Sequence, residues 1–469
     1  MRKALFCFVL LFSNVLIFGK DFSIENYGAV GDAKTVNTQA IQKAIDDCNQ
    51  QGGGRVIIPK GTFISGTILL KDNVLLYLDA EATLLGNLDI NNYQVVDGFK
   101  DGRGSNMGYC FIGANDAKNT GITGKGKIDG NGKALLDLNG RSKRPFLVRF
   151  VRCINLTVTD VQMQGPAAWT MHLFACKEVK VERVIIRSRG LGNNDGIDID
   201  CCQNVEIKDC DIDSGDDAIC FKTTGTMPCK NITISGCKIN TGQGAFKICT
   251  ESIGDFENIN ISNCTVLQCK GIKIYSVDGG HLKNLKISNI SIEQTTLPIM
   301  IRLGARLKTF RVGDIQKPVG SIKNITISNI QVQKASQMAV LISGIPNHNI
   351  ENVKISNVSV NLPGGGTVED ATVQLAENIA DYPEVTMFGK TMPAAGIYVR
   401  HVNAIQLHNI AVKFEKPDFR PSIIAVQVQK IGFKNIQILT ENTQTSLKVE
   451  GESSKDITAD ASVKCAKVR

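Results

Sequence analysis

Eight aspartates stand within the thirty residues from Asn193 to Lys222, which read NNDGIDIDCCQNVEIKDCDIDSGDDAICFK. Two carboxylates about 4 Å apart near a protein surface repel each other by ~4 kcal/mol. A fold keeps such a cluster only where something offsets the repulsion. Metal binding, acid–base catalysis and a solvated turn edge are therefore the three chemical interpretations of this stretch.

Five segments around this stretch share the pattern x-small-apolar-x-apolar-x. They are DGIDID from Asp195, DAICFK from Asp217, GAFKIC from Gly244, KGIKIY from Lys270 and LPIMIR from Leu297. Side chains alternate between the two faces of a strand, so the third and fifth positions enter the core and the others face outward. The pattern predicts an exposed column of Asp198, Cys220, Lys247, Lys273 and Met300, flanked by Asp200, Lys222, Cys249, Tyr275 and Arg302.

In this register Asp195 and Asp217 head adjacent strands, one strand spacing of ~4.8 Å apart, and Asp216 lies beside them. The small second residue of each segment leaves a groove in which a chain can lie. Glycoside hydrolysis needs such a set, because one protonated acid serves the leaving oxygen and ionised partners serve the water. A turn edge rich in solvated aspartate fits the spacing equally well.

The elements that must position these residues recur along the chain. A tetrad Asn-apolar-x-apolar begins at Asn155, Asn204, Asn231, Asn258, Asn284, Asn324 and Asn352, and Glu178 begins an equivalent EVKV. Each unit holds short runs of β-branched residues broken by Gly, Asn, Asp and Ser. A period in the middle twenties without helical spacing is typical of a β-solenoid. The sequence therefore predicts an all-β fold, a right-handed parallel β-helix.

A helix is predicted before the first coils. The segment TVNTQAIQKAIDDCNQQGG puts one apolar face together, formed by Ala40, Ile41, Ala44, Ile45 and Cys48. Asn37 or Thr38 can cap its N-terminus. Such a helix would cover the open edge of the first coil, which would otherwise invite aggregation.

Cysteines recur at two positions of the repeat. Cys153, Cys176, Cys202 and Cys229 stand two residues before a tetrad, and Cys210, Cys237 and Cys264 stand six residues after its first position. In later repeats Ile290, Ile330 and Val358 occupy the second position. Equivalent positions of a solenoid stack, so the exchange with Ile and Val favours core packing over disulfides or metal ligation.

The N-terminus and the composition predict an exported protein. Arg2 and Lys3 precede the apolar run Ala4–Phe18, which is short for a membrane span and typical of a signal peptide over residues 1–19. We expect residues 20–469 to form a single domain in the periplasm or outside the cell. The formal net charge of +8 suits a polyanionic partner.

The aspartates also carry a family resemblance. NND at Asn193–Asp195, followed 21 residues later by DD at Asp216 and Asp217, resembles the active-site signature of glycoside hydrolase family 28, the polygalacturonases and related pectinases. GIK, ending at Lys273, corresponds to the Arg-x-Lys motif of that family. The resemblance extends through YGAVGD, GGGRVIIPKGTF and ITGKGKIDGNG, and so covers most of the chain after the signal peptide.

This resemblance implies a right-handed β-helix and hydrolysis with inversion of configuration. Asp216 would be the general acid, and Asp195 and Asp217 would position and deprotonate the water. Lys273 would bind a substrate carboxylate as a point charge. Asn193 is a further expected substrate contact.

The sequence departs from the family pattern at two positions. The Gly-His-Gly motif falls on QGA, Gln243 to Ala245, and Gly271 replaces the motif arginine. These departures favour an exo-acting or rhamnogalacturonan-type enzyme over a plain endo-polygalacturonase. Positive charge can come instead from Lys222, Lys247 and Arg302 on the same face, and Gln243 is expected to contact substrate.

Two other classes of protein remain open. A polysaccharide lyase shares the fold but uses a Lys or Arg base and often calcium, and a surface solenoid would need no catalysis. Because Lys247 and Lys273 share the column with the aspartates, we expect neither metal nor cofactor. The expected partner is an acidic pectic polysaccharide or oligosaccharide, without nucleic acid and without a membrane once the signal is removed. The sequence leaves the oligomeric state open.

Overall fold

Each repeat forms short strands, because apolar and polar residues alternate between turn residues, and each strand pairs in parallel with its equivalent in the next coil. The computed structural model describes residues 19–439 and 445–467. It is a right-handed parallel β-helix with three stacked sheets around one apolar core. The predicted fold class is confirmed.

The three sheets take one strand each from successive coils. The sheet that carries the aspartates, called the site sheet, contains Ile68–Leu70, Asn106–Asn115, Phe146–Val151, Met171–Phe174, Ile197–Asp200, Ile219–Thr223, Gly244–Ser252, Gly271–Ser276, Ile299–Leu303, Val340–Ser343, Thr445–Glu450 and Val463–Lys467. The second sheet contains Asp21–Ser23, Gly54–Ile58, Val74–Leu78, Lys118–Gly124, Ile154–Thr159, Lys177–Glu182, Gln203–Lys208, Cys229–Ser235 and Lys455–Ala459. The third sheet contains Asp32–Val36, Gly61–Ser65, Ala82–Gly86, Lys127–Asp129, Gln162–Gln164, Ile185–Arg187, Asp211–Ser214 and Lys238–Thr241.

In the later coils single long strands run through more than one sheet. Phe256–Gln268, His281–Thr295, Ser321–Ala335 and Ile350–Leu362 turn from the second sheet into the third, and Ile397–Phe414 and Ile423–Ile438 begin in the site sheet. Strand Gln94–Lys100 pairs antiparallel with Asn106–Asn115 and so forms a hairpin beside the coils. The helices are Thr38–Gln50 and Gly132–Asn139, with 3-10 turns at Ile24–Tyr27, Ile90–Asn92, Asp370–Thr372 and Val385–Phe388.

The first residue of each tetrad makes the same bend in every coil. Asn231 and Asn258 have φ angles of 56° and 54°, in the left-handed region that Asn tolerates better than most residues. The side-chain amide of Asn231 donates to Asn204 Oδ1 at 2.9 Å, and that of Asn258 donates to Asn231 Oδ1 at 3.0 Å. The tetrad is therefore an asparagine ladder that holds successive coils in register.

The cysteine ladders lie in the core, as the sequence predicts. Cys264 pairs in register with Ile290, which pairs with Ile330 in the next coil. The cysteines whose side chains the structure describes are free thiols, and Cys465 is the exposed one among them. The stacked slot therefore takes a small apolar group, and the thiol fills it without a covalent bond.

The predicted N-terminal helix is α1, Thr38–Gln50, and it packs on the strands Gly54–Ile58 and Ile68–Leu70 with Ile41, Ala44, Ile45 and Cys48 buried. Asn37 occupies the N-cap position, but its side chain does not cap the helix. Its Oδ1 instead accepts from Val30 N at 2.7 Å. The residue therefore ties the entry loop to the helix start.

Two apolar clusters cover the outer face of the site sheet at its two ends. The hairpin Gln94–Asn115 covers one end, through a cluster that includes Val96, Phe99, Phe146, Trp169 and Phe174. The segment 363–396 covers the other end, through a cluster that includes Tyr275, Met300, Leu341, Phe388 and Met392.

The register of the predicted column is confirmed, since Cys220 pairs with Lys247, and Lys247 with Lys273. Its predicted exposure is wrong. Asp198 and Cys220 are fully buried, and Met300 is only 3% exposed. The two covering segments remove this face from solvent, which the alternation of a strand alone cannot reveal.

The predicted signal peptide covers residues 1–19, of which 1–18 lie outside the described residues. Within 19–439 and 445–467, the structure has no helix with the length and apolar character that a membrane span requires.

We predict that the cysteine ladders stay reduced and unreactive in the folded protein. Alkylation of the native, unreduced protein should label Cys465 before the ladder cysteines, because the ladder thiols are buried. Alkylation after denaturation without reductant should label the ladder cysteines as well. Peptide mass spectrometry reads both states, and disulfide-linked ladder peptides would overturn the packing interpretation.

Candidate active site

Between the two covered ends, the site sheet opens into a cavity of about 330 Å³. Six of the eight residues predicted for the site line it: Asn193, Asp195, Asp216, Asp217, Gln243 and Lys247. They come from three successive coils, whose equivalent strands stack side by side. The coil repeat therefore assembles the site from residues far apart in sequence.

Asp195 and Asp217 face each other across adjacent coils. The strand register pairs Ile197 with Ile219, and Gly196 N donates to the carbonyl of Asp217 at 2.9 Å. Their carboxylate oxygens lie within 4.8 Å of each other, and both side chains are buried. Two carboxylates this close titrate as a pair.

Asp217 is the carboxylate that the protein keeps ionised. Burial opposes its charge, but the ammonium groups of Lys247 and Lys273 outweigh it, so the pKa of Asp217 lies below its usual range. Lys247 Nζ donates to Oδ2 at 2.7 Å, and Gly244 N donates to Oδ1 at 2.7 Å. Gly244 stands where the family motif has histidine, so a lysine and a backbone amide hold the charge here.

Asp195 is held in the opposite state. Burial raises its pKa well above the usual range, and the neighbouring charges of Asp198 and Asp216 raise it further. Lys222 Nζ lies 3.7 Å from Oδ2 and opposes this only in part. Oδ1 has no hydrogen-bond partner within residues 19–439 and 445–467. The geometry therefore favours a protonated Asp195 beside an ionised Asp217.

Asp216 lies nearer to solvent than this pair. Its Oδ1 accepts from the backbone N–H of Asp217 at 3.0 Å, and its Oδ2 accepts from the backbone N–H of Asn193 at 3.3 Å. Asn193 has a φ of 59°, which turns its amide toward Asp216. Both aspartates of the DD pair thus reach the cavity from one turn, at different depths.

Arg144 holds the Asn193 turn, and sequence reasoning missed it. Its Nη1 donates to Asn193 Oδ1 at 3.3 Å, and its Nε donates to the carbonyl of Ala167 at 2.8 Å. Arg144 lies in an irregular stretch that is outside every tetrad, so the repeat gave no signal for it. It positions the turn that carries the amide donor to Asp216.

Trp169, Lys222 and Glu251 also line the cavity. Lys222 Nζ lies 3.3 Å from Glu251 Oε2, 3.4 Å from Asp198 Oδ1, and 4.2 Å from the centroid of the Trp169 ring. One ammonium group thus lies among several carboxylates, which reduces their mutual repulsion. Trp169 is the only tryptophan of the chain, a signal that sequence reasoning did not use.

Asp195, Asp217 and Cys220 could together offer three ligand atoms to a cation. The donor set fits poorly, because Lys247 and Lys222 place ammonium groups beside both carboxylates. A divalent cation at this position would meet like charge. The ammonium groups of Lys247 and Lys222 therefore compensate the charge of these carboxylates.

Lys273 and Arg302 do not line this cavity. Both Oε atoms of Glu384 accept from Lys273 Nζ at 2.8 Å. Arg302 donates to Ser343 Oγ at 2.7 Å and to the carbonyl of Glu377 at 2.7 Å. Arg302 therefore anchors the 363–396 segment and does not reach the cavity, which leaves its predicted substrate contact without support.

The hairpin and the 363–396 segment meet over the cavity. Gly102 N, at the hairpin tip, donates to Glu251 Oε1 at 2.7 Å. The Tyr382 ring of the segment lies 5.9 Å from the Arg103 guanidinium and 5.8 Å from Lys247 Nζ. The site is thus a walled pocket with cations around Tyr382, whereas the small residues of the repeat predicted a groove in which a chain can lie.

Comparison with known proteins gives a consistent picture. The model of glycosyl hydrolases family 28 matches residues 48–380. A probable polygalacturonase of Vitis vinifera is 28% identical over 47% of this chain and 48% of the relative. An exo-poly-alpha-D-galacturonosidase of Dickeya chrysanthemi is 28% identical over 43% of this chain and 42% of the relative. The chain thus spans about half the length of the curated relatives it matches.

Among solved structures, a family 28 exopolygalacturonase from Yersinia enterocolitica has a TM-score of 0.71 at 20% identity. The match covers 90% of this chain and 79% of that one. At this identity the likeness establishes the fold.

The opposed states of Asp195 and Asp217 predict opposite effects on stability. Because the pKa of Asp195 is raised in the folded protein, the unfolded chain loses this proton at a lower pH, which destabilises the fold near neutral pH. Asp195→Asn removes that cost and should raise the free energy of unfolding there by about 1–3 kcal/mol. The lowered pKa of Asp217 stabilises the fold above the unfolded value of ~3.9, so Asp217→Asn should lower it by roughly 1.5–3 kcal/mol.

Urea denaturation between about pH 4 and pH 7 measures both effects. The gain from Asp195→Asn should shrink as pH falls, because the unfolded parent then carries the proton as well and ionisation no longer favours unfolding. The exposed Asp209 of the same acidic stretch provides the control, and Asp209→Asn should change stability by less than ~0.5 kcal/mol. Effects of reversed sign at Asp195 and Asp217 would refute the assigned protonation states.

Proposed function

Because the chain belongs to glycosyl hydrolases family 28, we propose that it is an inverting glycoside hydrolase that cleaves a galacturonic-acid-containing pectic polysaccharide or oligosaccharide. The carrying observation is one pocket in which Lys247 and Gly244 bind the Asp217 carboxylate, burial and like charge raise the pKa of Asp195, and Asp216 lies nearer to solvent. Glycoside hydrolysis needs one carboxyl group that donates a proton and one carboxylate that removes a proton, and this pocket brings three such groups together.

Asp216 is the proposed general acid. It lies nearest to solvent among the three aspartates, where it can protonate the oxygen of the departing sugar. Asp217 is the proposed base, because Lys247 and the Gly244 amide keep it ionised and able to take a proton from water. Asp195 then keeps its own proton and orients that water by a hydrogen bond. This refines the family resemblance, in which Asp195 and Asp217 share one role.

The pocket supports an exo-acting enzyme. The two apolar clusters close the site sheet on either side of the aspartates, and Tyr382 and Arg103 approach each other over the cavity. A polymer that is cleaved internally must lie across its enzyme, whereas a chain end can enter a pocket. The missing histidine and arginine of the family motifs point the same way.

A uronic acid suits the cationic part of the pocket. Lys222 and Lys247 line it beside Asn193 and Gln243, which we propose as the contacts to sugar hydroxyls and carboxylate. Export through a signal peptide over residues 1–19, and a single domain over residues 20–469, complete the proposal. Both agree with a polysaccharide substrate outside the cytoplasm.

We predict that Asp216→Asn and Asp217→Asn each lower turnover by roughly 2 to 4 orders of magnitude, the usual scale for acid–base catalysis. Asp195→Asn should lower it less, because the amide is the neutral isostere of a protonated carboxyl and still donates a hydrogen bond. Initial rates on pectic oligosaccharides measure this, with Asp209→Asn as the control. Full activity of Asp216→Asn would falsify the acid assignment.

Products separate this proposal from a lyase. Hydrolysis by an exo-acting enzyme should release one short sugar from a chain end, without new absorbance in the ultraviolet, and with inversion visible by proton NMR of the fresh product. An unsaturated product that absorbs in the ultraviolet would indicate elimination. A ladder of internal fragments would contradict the exo-acting pocket.

A further inference from the structure

Glu384 binds Lys273, the residue that the family resemblance predicts to bind a substrate carboxylate. Lys273 ends the GIK motif, and its ammonium group is 2.8 Å from both carboxylate oxygens of Glu384. The Lys273 side chain is 4% exposed and that of Glu384 is 25% exposed. A carboxylate supplied by the protein itself thus sits where a sugar carboxylate would bind.

The Lys273–Glu384 ion pair joins a strand of the regular coils to the irregular 363–396 segment. Lys273 stands on the site sheet, fixed by its register with Lys247. Glu384 comes from the 363–396 segment, 111 residues later, which Arg302 and Arg400 fasten by donating to the carbonyls of Glu377 and Leu375. The part of the segment that precedes Glu384 is therefore fastened to the site sheet.

This arrangement penalises a second carboxylate at Lys273. A substrate carboxylate would have to displace one that is tethered at high effective concentration. The displaced Glu384, whose side chain is 25% exposed, would then have lost its partner and would lie beside an incoming like charge that repels it. Discrimination by such a repulsive element is a common route to specificity.

The same wall can accept a neutral sugar. Glu384 lines the catalytic cavity together with Thr296, Gln337 and Thr386, so a carboxylate oxygen, hydroxyls and an amide face the space. Gln337 Oε1 has no hydrogen-bond partner in the described parts of the chain. Sugar hydroxyls can donate hydrogen bonds to both of these oxygens.

We propose that Glu384 is the specificity-determining residue, which excludes a uronic acid from the Lys273 side and selects a neutral sugar there. The preferred substrate is then a uronic acid linked to a neutral sugar, cleaved at the bond between them. This inference rests on the proposed function and names the substrate class for that same pocket.

Glu384→Gln tests it, because the variant keeps the shape of the side chain and releases the Lys273 charge. Binding is measured first, in the Asp216→Asn background, through the fluorescence of Trp169, the only tryptophan of the chain, which lines the pocket. Glu384→Gln should tighten the binding of an oligogalacturonide on the order of tenfold, which corresponds to ~1.4 kcal/mol. It should weaken binding of an oligosaccharide that alternates a uronic acid with a neutral sugar.

The gain must depend on Lys273. Lys273→Met combined with Glu384→Gln should cancel the tighter binding of the oligogalacturonide, and this double-mutant cycle separates a direct effect from a general loosening of the segment. Glu384→Ala provides a second variant with the same expected direction. The exposed Glu369 of the same segment is the matched control, and Glu369→Gln should change neither affinity.

Hydrolysis of both oligosaccharides is then measured with Asp216 intact. The parent should have the higher kcat/KM on the alternating substrate, and Glu384→Gln should shift the preference toward the oligogalacturonide, mainly through KM. Unchanged or equally weakened binding of both sugars by Glu384→Gln would overturn the inference. If the parent hydrolyses neither sugar while the binding shift is present, the proposed function fails and the role of Glu384 stands.

Discussion

Parallel pairing between successive coils is the constraint on which the rest of this structure depends. Equivalent residues of neighbouring coils are held one strand spacing apart, ~4.8 Å, whatever their separation in sequence. The asparagine ladder fixes that register at the bend of each coil, as the hydrogen bond from Asn258 to Asn231 illustrates. Asp195 and Asp217 are neighbours for this reason alone, and so are Lys247 and Lys273.

Stacking of the coils brings carboxylates close together, and the neighbouring groups in the pocket determine the pKa of each one. Asp217 keeps its charge through Lys247 and the Gly244 amide, whereas Asp195, enclosed by Asp198 and Asp216, retains a proton because burial and like charge raise its pKa. The unequal surroundings turn a crowded acidic stretch into a pair of groups with different protonation states. Glycoside hydrolysis requires an ionised base, and these surroundings lower the pKa of Asp217 although other carboxylates lie beside it.

The segments outside the repeat decide what can reach the carboxylates. The hairpin Gln94–Asn115 and the 363–396 segment bury the ends of the site sheet under apolar clusters and leave a pocket between them. The same segment supplies Tyr382, whose ring lies near Arg103 and Lys247, and Glu384, which binds Lys273. Catalytic groups thus come from the regular coils, and selectivity comes from the irregular insertions.

The sequence by itself determined the parallel β-helix, the strand register, the core position of the cysteine ladders and the meeting of Asp195 with Asp217. These features follow from the alternation of apolar and polar residues, which recurs in each coil. The same pattern in successive coils therefore predicts the same strand and the same register. Only the tertiary structure decided that the column is buried, that Asp195 and Asp217 differ in pKa, and that Lys273 is bound to Glu384. These features depend on single contacts between non-repeating segments over long sequence separations. Neither strand alternation nor coil period carries information about such contacts.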